Sequence, residues 1–184
     1  KKLDKIGLDA QDTSELFFNE VKVPGENIIG GGEGQGFIQL MQQLPQERLN
    51  IAVQGIAAAE RGLQETLAYV KQRKAFGKSV LEFQNTQFKL ADMATALEAA
   101  RLMVLRGAWA LDTRHPEATK WCAMAKRMTT DACFSIADEA LQLHGGYGYM
   151  NEYRIAELYR DARVQRIYGG TNEIMREIIA RSLD

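Results

Sequence analysis

The sequence has two cysteines, three prolines and no apolar run near the roughly 20 residues that a membrane helix requires. No membrane span is therefore expected. Charge of one sign is equally lacking: 23 Lys and Arg stand against 24 Asp and Glu, a formal net charge of −1. No long-range field draws such a chain to nucleic acid or to an anionic membrane, so any bound anion must be held by a local arginine site. Cys122 and Cys133 fall in one predicted helix, where a rise of about 1.5 Å per residue sets them roughly 16 Å apart, beyond disulfide reach. Without a disulfide framework, a reducing compartment is the expected home. There is no HExxH, GxSxG or paired CxxC, which leaves zinc and serine hydrolysis unsupported and no metal site expected.

What is present has the balance of a soluble globular protein. Of 184 residues, 46% are hydrophobic and 26% charged, enough for one sizeable core or a domain with a short attached piece. The opening segment KKLDKIGLDAQD is too polar for a signal peptide, so a secreted protein is not expected. The chain also begins without methionine, and is expected to be a piece of a longer one.

Residues 14–23, SELFFNEVKV, carry β-favouring residues with partial alternation and end at Pro24-Gly25, which predicts one strand and a turn. A shorter strand is predicted around Lys5–Leu8. Two strands make no stable sheet alone, so residues 1–32 read as the remnant of a β domain, its linker running through GGGEGQG (Gly30–Gly36). Gly31 and Gly36 have the Walker spacing, but Phe37 stands where lysine is required, and GxGxxG is not completed.

Residues 33–184 are predicted to be helical. Ala52, Ile56, Ala59, Leu63 and Leu67 recur at steps of three and four, marking a helix from near Gln35 to near Gln72 with a kink at Pro45. A second helix near Leu81–Thr113 carries Leu90, Met93, Leu97, Val104, Ala108 and Leu111, and His115-Pro116 breaks the chain. A third, near Glu117–His144, carries Trp121, Ala125, Met128, Ala132, Ile136, Ala140 and Leu143, and stops at Gly145, Gly146 and Gly148. Shorter helices are predicted at Glu152–Arg163 and Thr171–Arg181. The fold class is mainly α, an antiparallel four-helix-type bundle preceded by a short β remnant.

Three segments carry chemistry. QRKAFGK (Gln72–Lys78) offers an arginine fork for phosphate oxygens beside an aromatic that can cover a planar ring; it also reads as a polar interhelix turn. QLHGGYGY (Gln142–Tyr149) offers glycines that let a backbone approach a ligand, or a plain helix stop. YGGTNEI (Tyr168–Ile174) places Thr171 as a helix N-cap with free N–H groups that suit an anionic oxygen, though a capped helix start requires no function.

Taken together, RKAFGK, FQNTQFKLA (Phe83–Ala91), QLHGGYGY and YGGTNEI, in this order and spacing, resemble the acyl-CoA dehydrogenase family, and the resemblance extends over essentially the whole chain. It implies that Arg73 and Phe76 contact FAD bound mainly by a neighbouring subunit, with Gln84 reaching the same cofactor. It implies that Gln142, Gly145 and Gly146 lie along the pyrophosphate and adenosine, and that Thr171 and Glu173 touch the FAD of their own subunit. It further implies an acyl-CoA substrate, an electron-transfer flavoprotein as acceptor, a homo-oligomer (dimer or tetramer), and a bacterial cytoplasm or mitochondrial matrix. Most relatives place a glutamate directly after the tyrosine of the YEGT motif, where this chain has Gly169. A branch resembling long-chain and isovaleryl-CoA dehydrogenases supplies the base from the first long helix, and Glu47 stands at that position. Tyr168 and Gly169 then face the substrate, the Gly169 N–H as a donor to the thioester carbonyl oxygen, and Arg48 helps position the first helix or contacts substrate. An apolar acyl pocket that desolvates Glu47 would strengthen it as a base. Two other readings are a flavin monooxygenase or oxidase of the same fold, and a helical oligomerisation module. On the family reading, this piece alone is expected to be inactive and to lack tightly bound FAD.

Overall fold

Apolar side chains recurring every third and fourth residue build five α-helices in the computed structural model, which describes residues 1–183. They are α1 (Gly36–Gln72), α2 (Gln84–Asp112), α3 (Ala118–His144), α4 (Arg154–Val164) and α5 (Asn172–Ala180). The first three are long and connected by short turns. α3 lies at the centre, with its most extensive interface to α1, and α2, α4 and α5 also pack on it. One apolar cluster gathers Val70, Leu90, Met93, Leu97, Ile136, Ala140, Ile155 and Ala162. A second, nearer the start of α1, gathers Leu49, Ala52, Val104, Cys122 and Ala125.

Small residues set how closely the helices approach. A Cβ on Gly55 of α1 would come within 2.9 Å of Thr129 Cγ2 on α3 and 3.0 Å of Gln165 Oε1. A Cβ on Gly107 of α2 would lie 3.0 Å from Leu49 Cδ1. Both cysteines are buried in α3, and desolvation pushes their thiols up, Cys122 to about 11 and Cys133 to about 12.

α1 runs as one helix through Pro45. Lacking an N–H, Pro45 leaves the carbonyl one turn earlier without its usual donor. At the other end of the bundle α3 stops where Gly145 takes φ +59. The stop falls where the sequence places it.

The β expectations are corrected. Residues 14–23 form no strand, and neither do Lys5–Leu8; the structure there has a single antiparallel bridge between Lys2 and Ser14. The segment retains its apolar pattern, but Leu16, Phe17 and Phe18 are 74–84% exposed, with no neighbouring strand among the described residues to complete a ladder. Strand propensity without a pairing edge does not make a strand. Two 3₁₀ turns, Gly25–Asn27 and Ile29–Gly31, lead into the expected linker.

The named strands lie elsewhere: β1 (Lys74–Ala75) pairs antiparallel with β2 (Lys78–Ser79). Phe76 and Gly77 join them, both at positive φ (51° and 82°), the twist that a tight two-residue hairpin turn needs. A 3₁₀ turn at Val80–Glu82 follows, closed by Glu82 Oε1 accepting from the Ser79 N–H at 2.7 Å, so α2 begins at Gln84 rather than near Leu81.

The close α1–α3 contact yields a stability prediction. Gly55→Val should destabilise the helical domain by about 1–3 kcal/mol, because the added methyls meet Thr129 and a buried amide oxygen. Urea denaturation followed by circular dichroism at 222 nm measures this, and an unchanged midpoint would show that α1 and α3 can move apart at no cost.

Candidate functional site

The residues singled out in the sequence fall into two groups at opposite ends of α1. At the C-terminal end, Arg73 caps the helix, its N–H donating to Tyr69 O at 2.9 Å, and its guanidinium lies 5.6 Å from the centre of the Tyr147 ring. Tyr69, Arg73, Gln142, Gly145, Gly146 and Tyr147 line an open cleft of about 530 Å³. Phe76 sits at the hairpin tip, 96% exposed and held at φ +51, an uncommon conformation for a residue with a side chain. An exposed aromatic face near an arginine is a pairing that can take a flat, anionic ligand. Gln84, at the start of α2, is exposed one position beyond Phe83, whose ring meets Phe76 edge-on at 6.3 Å.

His144 belongs to this end but is structural. It is buried, its Nδ1 lies 2.7 Å from Ala140 O, and its ring stacks on Tyr69 at 4.3 Å. Tyr69 Oη in turn donates to His144 O at 3.2 Å.

The second group lies near the start of α1. Consecutive helix residues point about 100° apart, and here the difference separates two roles. Arg48 turns inward, 5% exposed, and its Nε donates to Gly169 O at 3.2 Å. Glu47 turns outward and lines a cleft of about 700 Å³ with Ile28, Ile29, Gly36, Leu40 and Gln43. Desolvation lowers the Arg48 pKa, partly offset by the Cys122 and Glu47 charges. Tyr168 is half-buried, its Oη donating to Gln54 Oε1 at 3.4 Å, and burial raises its pKa.

Gly169 and Gly170 both adopt positive φ (66° and 90°), and a Cβ on Gly169 would collide with Ile51 Cδ1. Thr171 follows as the predicted N-cap of α5, its Oγ1 accepting from the Ile174 N–H at 3.3 Å. Glu173 lies in the first turn of α5, and its pKa is lowered by bonding to its own backbone N–H and to the Thr171 hydroxyl, with Arg176 nearby.

Sequence reasoning passed over the side chains behind this turn. Lys126 on α3 is fully buried, its Nζ donating to Gly170 O at 2.8 Å and to Asn172 Oδ1 at 2.9 Å. Desolvation and the Arg48 charge push its pKa down to about 8, against the opposing pull of Asp131 and Glu173. Asn172, 2% exposed, donates from Nδ2 to Thr130 Oγ1 at 3.0 Å and Asp131 Oδ1 at 3.1 Å. Asp131 pairs with Arg166 Nε at 2.8 Å. A lysine one turn from Cys122 and three residues before Thr129, on the inward face of a helix, was the available signal.

The two ends are far apart. Glu47 and Gln72 are joined by uninterrupted helix, which at about 1.5 Å per residue separates them by roughly 38 Å. One copy of the chain therefore does not bring the Arg73 cleft and the Glu47 cleft to a common ligand.

Comparison with known proteins decides the family. Residues 34–183 match the family model described as acyl-CoA dehydrogenase, C-terminal domain. The chain belongs to the acyl-CoA dehydrogenase family. It is 50% identical, over all of its length, to the mitochondrial long-chain specific acyl-CoA dehydrogenase of Sus scrofa, of which it covers 42%. It is 42% identical over 97% of its length to the caffeyl-CoA reductase–Etf complex subunit CarC of Acetobacterium woodii, covering 47% of that protein. Among solved structures, an acyl-CoA dehydrogenase from Geobacillus kaustophilus superposes with a TM-score of 0.95 at 51% identity, over the whole of this chain and 48% of that one. The chain thus spans less than half the length of the acyl-CoA dehydrogenases it matches. No helix among the described residues is long and apolar enough to cross a membrane.

The cap at Thr171 provides a test of how the second group is held. Thr171→Ala should cost about 1 kcal/mol and speed amide exchange in α5, whereas Thr171→Ser should preserve both. Hydrogen exchange across residues 166–180 reads the difference; equal protection in all three would mean that the hydroxyl does not anchor the turn.

Proposed function

We propose that the complete enzyme containing this chain oxidises an acyl-CoA thioester to the 2,3-enoyl-CoA with FAD, and that Glu47 is its base. The observation that carries this reading is the Arg48–Gly169 bond. It ties the segment of α1 bearing Glu47 to the Tyr168–Thr171 turn, and Ile51 and Gln54, one and two turns along the same helix face as Glu47, lie against Gly169 and Tyr168.

The cleft residues fit the cofactor. Arg73 supplies a fork for pyrophosphate, Phe76 a free aromatic face, and Gly145 and Gly146 open backbone with no atom within 4 Å of an added Cβ. Gln84 and Gln142 are exposed on the same end and can bond to it; Thr171 and Glu173 would meet a cofactor from the other end. When bound, FAD would supply the acceptor for the hydride that leaves the β carbon. Glu47 removes the α proton, Arg48 fixes the turn, and the Gly169 N–H donates to the thioester carbonyl oxygen as negative charge gathers there. Tyr168 lines the same turn. Glu173 is the weaker candidate base, because its hydrogen bonds and the helix N-terminus favour the charged carboxylate.

The 38 Å between the two ends favours a homo-oligomer in which the Arg73 end of one copy meets the Glu47 end of another; dimers or tetramers satisfy this. The Etf-complex subunit among the relatives supports an electron-transfer flavoprotein as a partner, which in the oxidising direction takes the electrons. We place the enzyme in a mitochondrial matrix, the pig relative being named as mitochondrial, or in bacterial cytoplasm. Residues 1–32 belong, on this reading, to a β domain that covers Leu16, Phe17 and Phe18, and residues 33–184 to the helical domain.

In the full-length enzyme, Glu47→Gln should keep FAD but slow anaerobic flavin bleaching by acyl-CoA about a thousandfold, the upper range for general-base catalysis. Glu173→Gln should instead weaken FAD retention more than the chemical step. Bleaching of the Glu47→Gln variant at the wild-type rate would remove Glu47 as the base. Gly169→Glu in the Glu47→Gln background should restore activity only weakly, because a side chain at φ +66 is strained and its Cβ meets Ile51. Adding Ile51→Ala should improve the rescue; no gain from it would show that Ile51 is not the obstacle.

Light scattering tests the assembly. The full-length protein should behave as a dimer or larger, and a monomer that still bleaches its flavin with acyl-CoA would refute the shared site.

A further inference from the structure

The turn at Tyr168–Thr171 is held from behind by two buried cations. Arg48 takes the Gly169 carbonyl and Lys126 takes the Gly170 carbonyl. A trans peptide points its C=O and the following N–H in opposite directions. Drawing both carbonyls inward therefore turns the N–H groups of Gly170 and Thr171 outward. Neither of these, nor the Gly169 N–H, donates to another group among the described residues. Three consecutive donors thus lie free on a turn whose other side is fully occupied.

Lys126 is unlike a lysine kept only for packing. Burying an ammonium is unfavourable, and a methionine of similar volume would fill the same space without that cost. Its retention is explained if the ammonium does two things. It fixes the register of the turn against α3 and α5 through Gly170 O and Asn172 Oδ1, and it adds positive potential beneath donors that meet a gathering negative charge. Asn172 extends the hold to Thr130 and Asp131, and Asp131 to Arg166 at the end of α4. The backbone closes the same loop, with the Asn172 N–H donating to Arg166 O at 3.1 Å.

We propose that Lys126 is a positioning residue that, acting through Gly170 and Asn172, aims the amide donors of residues 169–171 at the thioester carbonyl region of the bound substrate. The link to substrate rests on the dehydrogenase reading above; the hold on the turn does not.

The experiment uses full-length holoenzyme carrying Lys126→Met, with Thr129→Val as a control that alters a neighbouring buried side chain lacking a hydrogen-bond partner. Two readouts are taken: hydrogen exchange of the protected Asn172 and Met175 amides, and anaerobic flavin bleaching over a range of acyl-CoA concentrations. In Lys126→Met, exchange at those amides should quicken about tenfold or more. The limiting bleaching rate should fall about ten- to hundredfold, less than the roughly hundred- to thousandfold for removing such a donor outright because the donors are misaimed rather than lost, while the half-saturating concentration moves less than about threefold. Thr129→Val should change neither. Unchanged exchange in Lys126→Met overturns the proposal, and so does faster exchange with an unchanged limiting rate, which would leave Lys126 a purely structural group. If Lys126→Met does not fold, Asn172→Ser, which keeps the ammonium and removes one of its acceptors, should shift both readouts in the same directions to a smaller extent; no shift in either overturns the proposal. If the wild-type enzyme does not bleach with acyl-CoA, the dehydrogenase reading fails, and the exchange readout alone decides whether Lys126 holds the turn.

Discussion

The close approach of α1 and α3 is the constraint on which the rest of the molecule depends. Two long helices can carry a buried arginine and a buried lysine to the same short turn only if their axes lie close together, and Gly55 against Thr129 keeps them close. The approach excludes water from the space between, and that exclusion leaves Lys126 fully buried and lowers its pKa to about 8. A wider crossing would hydrate both cations, release the carbonyls of Gly169 and Gly170, and free the start of α5. Packing and chemistry are thus coupled through one glycine on one helix.

The helices were legible in the sequence because each repeats its apolar stripe over many turns, so single ambiguous residues do not matter. Ala52, Leu90, Leu97, Val104, Ala125, Ile136 and Ala140 all lie in the interior, as their spacing requires. Leu67, at the end of its stripe, is 37% exposed. The capped start of α5 was legible for a different reason: a threonine cap is local chemistry that needs no distant partner. Strand formation at residues 14–23 was misjudged because pairing depends on a second edge, and sequence alternation says nothing about whether that edge is at hand. The hairpin at Lys74–Ser79 escaped notice because two-residue strands are too short to show a period.

The candidate site divides along the same line. Arg73, Phe76, Gly145 and Gly146 stand out in the sequence through the order and spacing of their motifs, since each segment alone also reads as a turn or a helix stop, and the fold gathers them, with Gln84 nearby, at one end of α1. The inward face of the turn was hidden. A lysine in a helix is ordinarily solvated, and only its surroundings mark Lys126 as different. Arg48 was visible as the neighbour of Glu47, but its bond to a backbone carbonyl 121 residues away is a fact of tertiary structure alone.

The rigid span of α1 has a genetic consequence. Where two copies pool opposite ends of this helix in each composite site, a lesion at Glu47 in one gene copy and a lesion at Arg73 in the other do not fall on the same site in every pairing. In a mixed dimer, one site collects both lesions and the other collects neither. Two alleles that are each null alone would then complement in a heterozygote to as much as half the normal activity per mixed dimer, while two alleles damaged at the same end of α1 would not.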